Sequence, residues 1–220
     1  MAMAAVIFDL DGVLVDSEQV WGSEREHLTR ESGGHWHEGA LRAMMGMSSV
    51  EWSRYMHEQL GVPLPPEEIS REVVRRVGES YAEHLPLIEG AAEAVRRLAA
   101  RWPLAVASSA NREIIDSVLE LTGLAGAFAA TVSSEEVPHG KPAPDVYLEA
   151  SSRLGVEPAD AAAVEDSTNG LLSARAAGLT VVAIPNREFP PAPEGLAAAD
   201  IVLHSLHELT PEAIEREVPA

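Results

Sequence analysis

The stretch VIFDLDGVLVDSE, residues 6–18, places acidic side chains directly after a short apolar run. Residues 4–8, AAVIF, are continuously apolar, with β-branched and aromatic members, which predicts a fully buried strand. Asp9 and Asp11 stand at the carboxyl end of that strand. Because clustered carboxylates repel one another, this position predicts a metal cation or another positive group that neutralises them.

Apolar runs alternate with amphipathic helical patterns through much of the chain. Strands are predicted at 103–108, near 128–132, at 161–165 and at 179–184, with 199–203 as a candidate edge strand. Helices are predicted at 90–101, 112–122, 144–154 and 169–177. This alternation is typical of βαβ units, and it predicts a parallel sheet that is covered by helices on both faces.

Residues 16–86 break this rhythm. Their amphipathic helical patterns lie at 18–31, 49–60 and 67–84. Because glycine and proline breaks separate these patterns, the segment is predicted to be an all-helical cap inserted after the first strand. Residues 1–15 and 87–220 then form the catalytic core. The proline-rich stretch EFPPAPEG, 188–195, is predicted to be a stiff surface connection.

Composition limits the partners and the location. The 220 residues carry a formal net charge of −19, which opposes binding to nucleic acid or to anionic lipid. No apolar run is long enough for a membrane span, and no signal-peptide pattern occurs, so we expect a cytoplasmic protein. The absence of cysteine excludes disulfides and thiolate chemistry. A monomer is the default expectation.

Polar side chains follow several predicted strands, at the sheet edge where ligands bind in open α/β folds. They are Asp9, Asp11, Ser108, Ser109, Lys141, Glu165 and Asp166. The carboxylates suit Mg²⁺, which takes oxygen ligands together with substrate phosphate oxygens. One aspartate could attack phosphorus while Asp11 serves as general acid and then base. Ser108 could bind a phosphoryl oxygen, and Lys141 could supply positive charge to it.

Four ordered segments carry a family resemblance. FDLDGVLVDSE, ASS, GKPAPDVYL and VEDSTNGLLSARAAG resemble the motifs of the haloacid dehalogenase (HAD) superfamily. The resemblance is to the phosphoglucomutase-like variant, which has a helical cap after the first motif. It implies an α/β fold, with a HAD-like Rossmannoid parallel sheet as the core and the inserted all-helical cap above it.

The resemblance also implies roles for the matching positions. Asp9 is the implied nucleophile, Asp11 the acid/base, Ser108 a phosphate ligand and Lys141 the charge stabiliser. The implied Mg²⁺ ligands are Asp9, Asp166 and the Asp11 carbonyl, with Glu165 supporting. The substrate is then a small phosphorylated metabolite.

Members of the superfamily catalyse several reactions, and three positions bear on the choice. Asp11 favours phosphoryl transfer, because a leaving alkoxide needs a proton. The related mutases typically carry a histidine where Trp21 stands and a phosphate-binding arginine near Ser49, so these departures favour a phosphatase. DSEQVW, SSEEVPHGKPAPDVYL and ADIVLHSLHELT are similar to sugar-phosphate phosphatases of the 2-deoxyglucose-6-phosphate type.

The expected activity is therefore Mg²⁺-dependent hydrolysis of a small phosphomonoester, a sugar phosphate, through an aspartyl-phosphate. A β-phosphoglucomutase-like sugar-phosphate mutase is the first alternative. A non-enzymatic phosphate-binding module on the same fold is the second.

A few residues have both a structural and a functional interpretation. Ser109 and Asn111 are candidate substrate ligands, although Asn111 stands at a predicted helix start, where capping is the simpler role. Glu18 either begins a helix or faces the substrate. Trp21 and Trp52 are expected in the core of the cap, with a sugar pocket as the alternative.

Overall fold

Six parallel strands form one sheet at the centre of a computed structural model, which describes residues 3–45 and 47–215. The strands are β1 (Ala5–Phe8), β2 (Leu104–Ser108), β3 (Ala130–Ser133), β4 (Ala161–Glu165), β5 (Thr180–Ala183) and β6 (Ile201–Val202). Their order across the sheet is β3-β2-β1-β4-β5-β6, with every neighbouring pair parallel. The predicted parallel sheet is confirmed, and 199–203 does contain its edge strand.

Both faces of the sheet are buried, which explains the continuous apolar runs. Val6 and Phe8 of β1 belong to one apolar cluster, whereas Ala5 and Ile7 belong to a second. This alternation follows the period of two along a strand, with each face covered by helices. A strand of this kind needs no polar face, so its sequence is apolar throughout.

Ten helices accompany the sheet in the described residues. They are α1 (Glu18–Glu31), α2 (Ala40–Met44), α3 (Ser49–Glu58), α4 (Pro66–Glu83), α5 (Ala91–Ala99), α6 (Arg112–Leu121), α7 (Asp145–Leu154), α8 (Thr168–Ala177), α9 (Pro193–Ala197) and α10 (Pro211–Glu215). Each helix expected from the sequence is present within a few residues of its predicted bounds. The short helices α2, α9 and α10 were not predicted, because five residues are too few to display a helical period. Across the described residues, we find no helix with the length and apolarity that crossing a membrane requires.

Helices α1–α4 form the inserted part of the chain, and its two connections to the core run side by side. Asp16 donates its backbone N–H to Pro86 at 2.9 Å, and Ile88 donates to Leu14 at 2.9 Å. Val15 and Leu87 form an antiparallel bridge between these hydrogen bonds. We propose on this basis that the cap spans residues 16–86, with 1–15 and 87–220 as the core.

Candidate active site

A cavity of about 300 Å³ lies between the carboxyl edge of the sheet and the helices α1–α3. Asp9 and Asp11 follow β1, Ser109 follows β2, and Asp166 follows β4; all four line this cavity. Lys141 reaches it from the loop before α7. Parallel strands end at the same edge of the sheet, and for that reason four distant chain segments deliver their polar side chains to one place.

Lys141 is fully engaged with the protein. Its ammonium group donates to Asp9 Oδ1 at 2.7 Å, to Glu165 Oε1 at 2.6 Å and to the Ala107 carbonyl at 3.0 Å. Burial lowers the pKa of Lys141, but the charges of Asp9 and Glu165 outweigh it, and the net shift is upward. An ammonium group has three donors, so Lys141 has none left for a ligand in this arrangement.

Glu165 is the buried anchor of that lysine. Its Oε1 also accepts from the Tyr147 hydroxyl at 2.7 Å, while its Oε2 accepts from Ser167 Oγ at 3.2 Å. A Cβ on Gly170 would overlap the Glu165 carboxylate, so the start of α8 can approach this side chain only with glycine there. Glu165 therefore positions Lys141 and adds negative charge beside Asp9.

Carboxylate oxygens of Asp9, Glu165 and Asp166 lie within 4.8 Å of one another, and all three side chains are buried. Asp166 Oδ1 is buried with no hydrogen-bond partner among the described residues. Burial is the main cause that raises the pKa of both Asp9 and Asp166. The charge of Lys141 opposes this shift at Asp9, whereas the charge of Glu165 adds to it at Asp166. Keeping these carboxylates ionised calls for more positive charge than Lys141 provides.

Gly12 makes room for this acidic group. It adopts a φ of +81°, and a Cβ there would overlap the carboxylate of Asp166. The donor set is all oxygen, with an unpartnered buried oxygen and a closely fitted backbone, which suits a hard divalent cation such as Mg²⁺. Asp9 and Asp166, with Glu165 behind them, are the residues that would hold it.

Asp11 lies beside Asp9 but in different surroundings. Ser108 Oγ donates to Asp11 Oδ2 at a long 3.4 Å, and Asp11 Oδ1 is buried with no hydrogen-bond partner in the described part of the chain. Burial raises the pKa of Asp11, while the Ser17 hydroxyl and the charge of Lys141 lower it. Ser108 itself is fully buried, and its hydroxyl accepts from the Ala110 N–H at 3.0 Å. Its role as a phosphate ligand stays a prediction.

Asn111 lines the cavity, but it does not cap its helix as expected. It occupies the N-cap position of α6, yet its side chain makes no capping hydrogen bond. Its Nδ2 donates to Glu135 Oε1 at 2.6 Å, and its Oδ1 accepts from Ser49 Oγ at 2.8 Å. The Glu135 carboxylate accepts from the Arg112 N–H at 3.0 Å instead. The capping prediction was wrong because a neighbouring carboxylate takes the helix end, which leaves Asn111 to link core and cap.

Arg25 was missed in the sequence. Its guanidinium lies 5.0 Å from the Trp21 ring centre and 4.8 Å from that of Trp52, and the residue is 5% exposed. Burial lowers the pKa of Arg25 to about 10, although the charges of Glu18 and Asp11 act to raise it. Glu18, Trp21 and Arg25 are spaced i, i+3, i+7, which places them on one face of α1, and that spacing is the signal that could have identified Arg25. The two tryptophans are buried as expected and also line the cavity, while their place in a sugar pocket stays a prediction.

The proline-rich connection also has a different place from the expected one. Phe189, Pro190 and Pro191 line the cavity, and Glu188 Oε2 accepts from Gln19 of α1 at 3.2 Å. The prediction of a mere surface connection was wrong, because composition shows that a loop is stiff but not what it faces.

Tyr147 was missed as well, since an aromatic residue in an amphipathic helix is expected to be a core residue.

Comparisons with known proteins agree with this geometry. A family model described as haloacid dehalogenase-like hydrolase matches residues 6–184. Hexitol phosphatase B of Escherichia coli (strain K12) is 32% identical over 210 residues, with 94% of each chain covered. The bifunctional riboflavin kinase/FMN phosphatase of Arabidopsis thaliana is 30% identical over 208 residues; the match covers 94% of this chain but only 54% of that one.

The fold also matches a solved structure closely. The crystal structure of CbbY from Rhodobacter sphaeroides in complex with phosphate matches with a TM-score of 0.86 and 27% identity, covering 97% of this chain and 99% of that one. All the candidate catalytic and metal-binding side chains lie within the region that the family model matches.

Proposed function

Because this chain belongs to the haloacid dehalogenase-like hydrolases, we propose that it is a Mg²⁺-dependent phosphatase that acts on a small phosphomonoester, a sugar phosphate, through an aspartyl-phosphate. The coarser activity, that of a phosphoric monoester hydrolase, is the activity for which its relatives are named. The observation that carries the proposal is the pair Asp9 and Asp11 on the wall of one cavity, with Lys141 bound to Asp9 at 2.7 Å.

The proposed reaction has two half-reactions. In the first, a carboxylate oxygen of Asp9 bonds to phosphorus, the bond from phosphorus to the ester oxygen breaks, and Asp11 gives that oxygen its proton. In the second, Asp11 takes a proton from water, whose oxygen attacks phosphorus and releases phosphate and Asp9. A bound Mg²⁺ would neutralise phosphate and carboxylate charge during both.

The other site residues position these two aspartates and the phosphoryl group. Lys141 holds one oxygen of Asp9 in place, and Glu165 holds Lys141. Ser109 lines the cavity beside them and is proposed to contact the phosphoryl oxygens, as is Ser108 if its hydroxyl turns from Asp11. The cap covers this arrangement, excludes water during the first half-reaction and supplies specificity.

The mutase alternative is disfavoured by two cap positions. Trp21 is buried beside Arg25 where the related mutases would carry a histidine. Ser49 stands near the position of their arginine, and its hydroxyl donates to Asn111. A mutase would depend on a bisphosphate activator and release phosphate only slowly. The cytoplasmic location and the monomeric state expected from the sequence remain part of the proposal.

The test measures inorganic phosphate released from a panel of sugar phosphates and other phosphomonoesters, with Mg²⁺ and with EDTA. We expect release that requires metal, and its loss in Asp9→Asn with folding retained. Asp116→Asn, a surface variant on α6 whose parent side chain is 56% exposed, is the matched control and should keep full activity. If the Asp9→Asn variant still released phosphate, Asp9 would not be the nucleophile. Isomerised sugar phosphate that appears only with an added bisphosphate would favour the mutase.

A further inference from the structure

We propose that Arg25 and Glu18 select substrates whose leaving alcohol carries further hydroxyl groups, with Arg25 donating to those hydroxyls and Glu18 accepting from them. This specificity rests on the proposed phosphatase function, since it concerns the alcohol that departs from the phosphoryl group.

Arg25 is buried, and its Nε donor has no hydrogen-bond partner among the described residues. An arginine carries five N–H donors. No carboxylate in the described part of the chain forms an ion pair with the guanidinium of Arg25. A buried guanidinium without a carboxylate is costly unless acceptors reach it from elsewhere. The guanidinium lies against the rings of both Trp21 and Trp52, contacts that fix its position without supplying it a carboxylate.

Arg25 also faces the correct part of the cavity. It lines the same cavity as Asp11, which is the proposed proton donor to the leaving oxygen. The alcohol attached to that oxygen therefore extends toward Arg25. Lys141 spends its donors on Asp9, Glu165 and Ala107, so within the described lining of the cavity Arg25 is the cation with donors to offer.

Glu18 favours the binding of a hydroxylated group over that of a second anion. It lines the cavity, and its charge acts directly on Arg25. A hydroxyl both accepts and donates, so it can accept from Arg25 while it donates to Glu18. A second phosphate or carboxylate would meet the negative charge of Glu18.

The experiment compares three probes: a hexitol 6-phosphate, which carries hydroxyls; p-nitrophenyl phosphate, which has none; and phosphoglycolate, which carries a second anion. We expect Arg25→Gln to lower kcat/KM on the hexitol phosphate by about 10- to 100-fold, the range for hydrogen bonds to a charged group. On p-nitrophenyl phosphate we expect a change below about threefold. Arg30→Gln, an exposed arginine on the same helix, is the matched control.

Further variants separate the possible failures. If Arg25→Gln does not fold, Arg25→Lys replaces it in the comparison. This variant keeps the positive charge beside the two tryptophans and should lose part of the activity on the hexitol phosphate. Glu18→Gln removes the negative charge, so phosphoglycolate should gain relative to hexitol phosphate. Equal losses on all three probes would overturn the selective role. If the parent enzyme prefers phosphoglycolate and Arg25→Gln loses activity on it, Arg25 binds a second anionic group instead of hydroxyl groups.

Binding distinguishes this inference from the function on which it rests. Calorimetry measures the affinity of the hexitol phosphate for Asp9→Asn and for Asp9→Asn combined with Arg25→Gln, each with Mg²⁺. An affinity that Arg25→Gln lowers about tenfold or more supports the selection even if the parent enzyme releases no phosphate. An affinity independent of Arg25, with turnover intact, would refute the selection and leave the phosphatase standing.

Discussion

Replacing Lys141 with methionine tests whether one buried cation holds the acidic site together. Methionine has a similar length and fits an apolar site, but it leaves Asp9 and Glu165 without their shared partner. The Lys141 side chain is 3% exposed, and those of Asp9 and Glu165 are 8% and 0% exposed. Water therefore cannot replace the lost ammonium group without opening the site.

The expected loss follows from this burial. Removing one partner of a buried ion pair costs about 3–5 kcal/mol, because the other charge remains uncompensated. In a domain of this size each kcal/mol shifts Tm by roughly 2–4 °C. We therefore expect Lys141→Met to lower Tm by roughly 6–20 °C.

The assay is thermal and urea unfolding in EDTA, so that no metal compensates for the missing charge. The set contains the parent, Lys141→Met, Asp9→Asn and the double variant. In the double variant one of the stranded carboxylates is gone, so the loss should be smaller than the sum of the single losses, by about 0.5–3 kcal/mol.

Two results would refute the reasoning. A Lys141→Met variant within about 1 kcal/mol of the parent would mean that the ion pairs at 2.6 and 2.7 Å stabilise nothing. Additive losses would mean that Lys141 and Asp9 act independently.

Three further predictions concern the same site. Tyr147→Phe deletes only the hydroxyl bound to Glu165 and should lower the free energy of unfolding by about 1.5–3 kcal/mol, measured in urea; no change would show that the hydroxyl is dispensable. Mg²⁺ at 100 times its Kd should stabilise the fold by about 2.7 kcal/mol in calorimetry, and Asp166→Asn should weaken that gain; an equal gain in both would place the ion elsewhere. Gly12→Ala, which forces a Cβ onto the Asp166 carboxylate at positive φ, should weaken Mg²⁺ binding in a titration followed by intrinsic fluorescence, and unchanged affinity would contradict the fitted cradle.

The arrangement of the sheet was predictable because burial on both faces leaves a direct mark on the chain. A strand such as Ala5–Phe8, covered by helices on each side, must be apolar at every position. The sheet edge that holds the site follows from the parallel topology, so Asp9, Lys141 and Asp166 could be grouped before any coordinates. Their grouping is seen in the structure, whereas their chemical roles remain proposals.

The partners of each side chain could not be predicted in the same way. Asn111 stands where a capping residue belongs, yet Glu135 takes the helix end, because that carboxylate arrives from a loop 24 residues away. Arg25 reads as an ordinary charged residue in an amphipathic helix. It becomes a buried cation facing Asp11 only when α3 brings Trp52 against it.

The sequence alone therefore established the layers, the parallel sheet and the chain segments that meet at the acidic edge, since these depend on periodicity and topology. The three-dimensional packing settled how the donors are used: Lys141 is saturated by its neighbours, whereas Arg25 lines the cavity and its Nε has no partner among the described residues. That difference depends on distances of a few ångströms between residues far apart in the chain, and local sequence patterns contain no record of those distances.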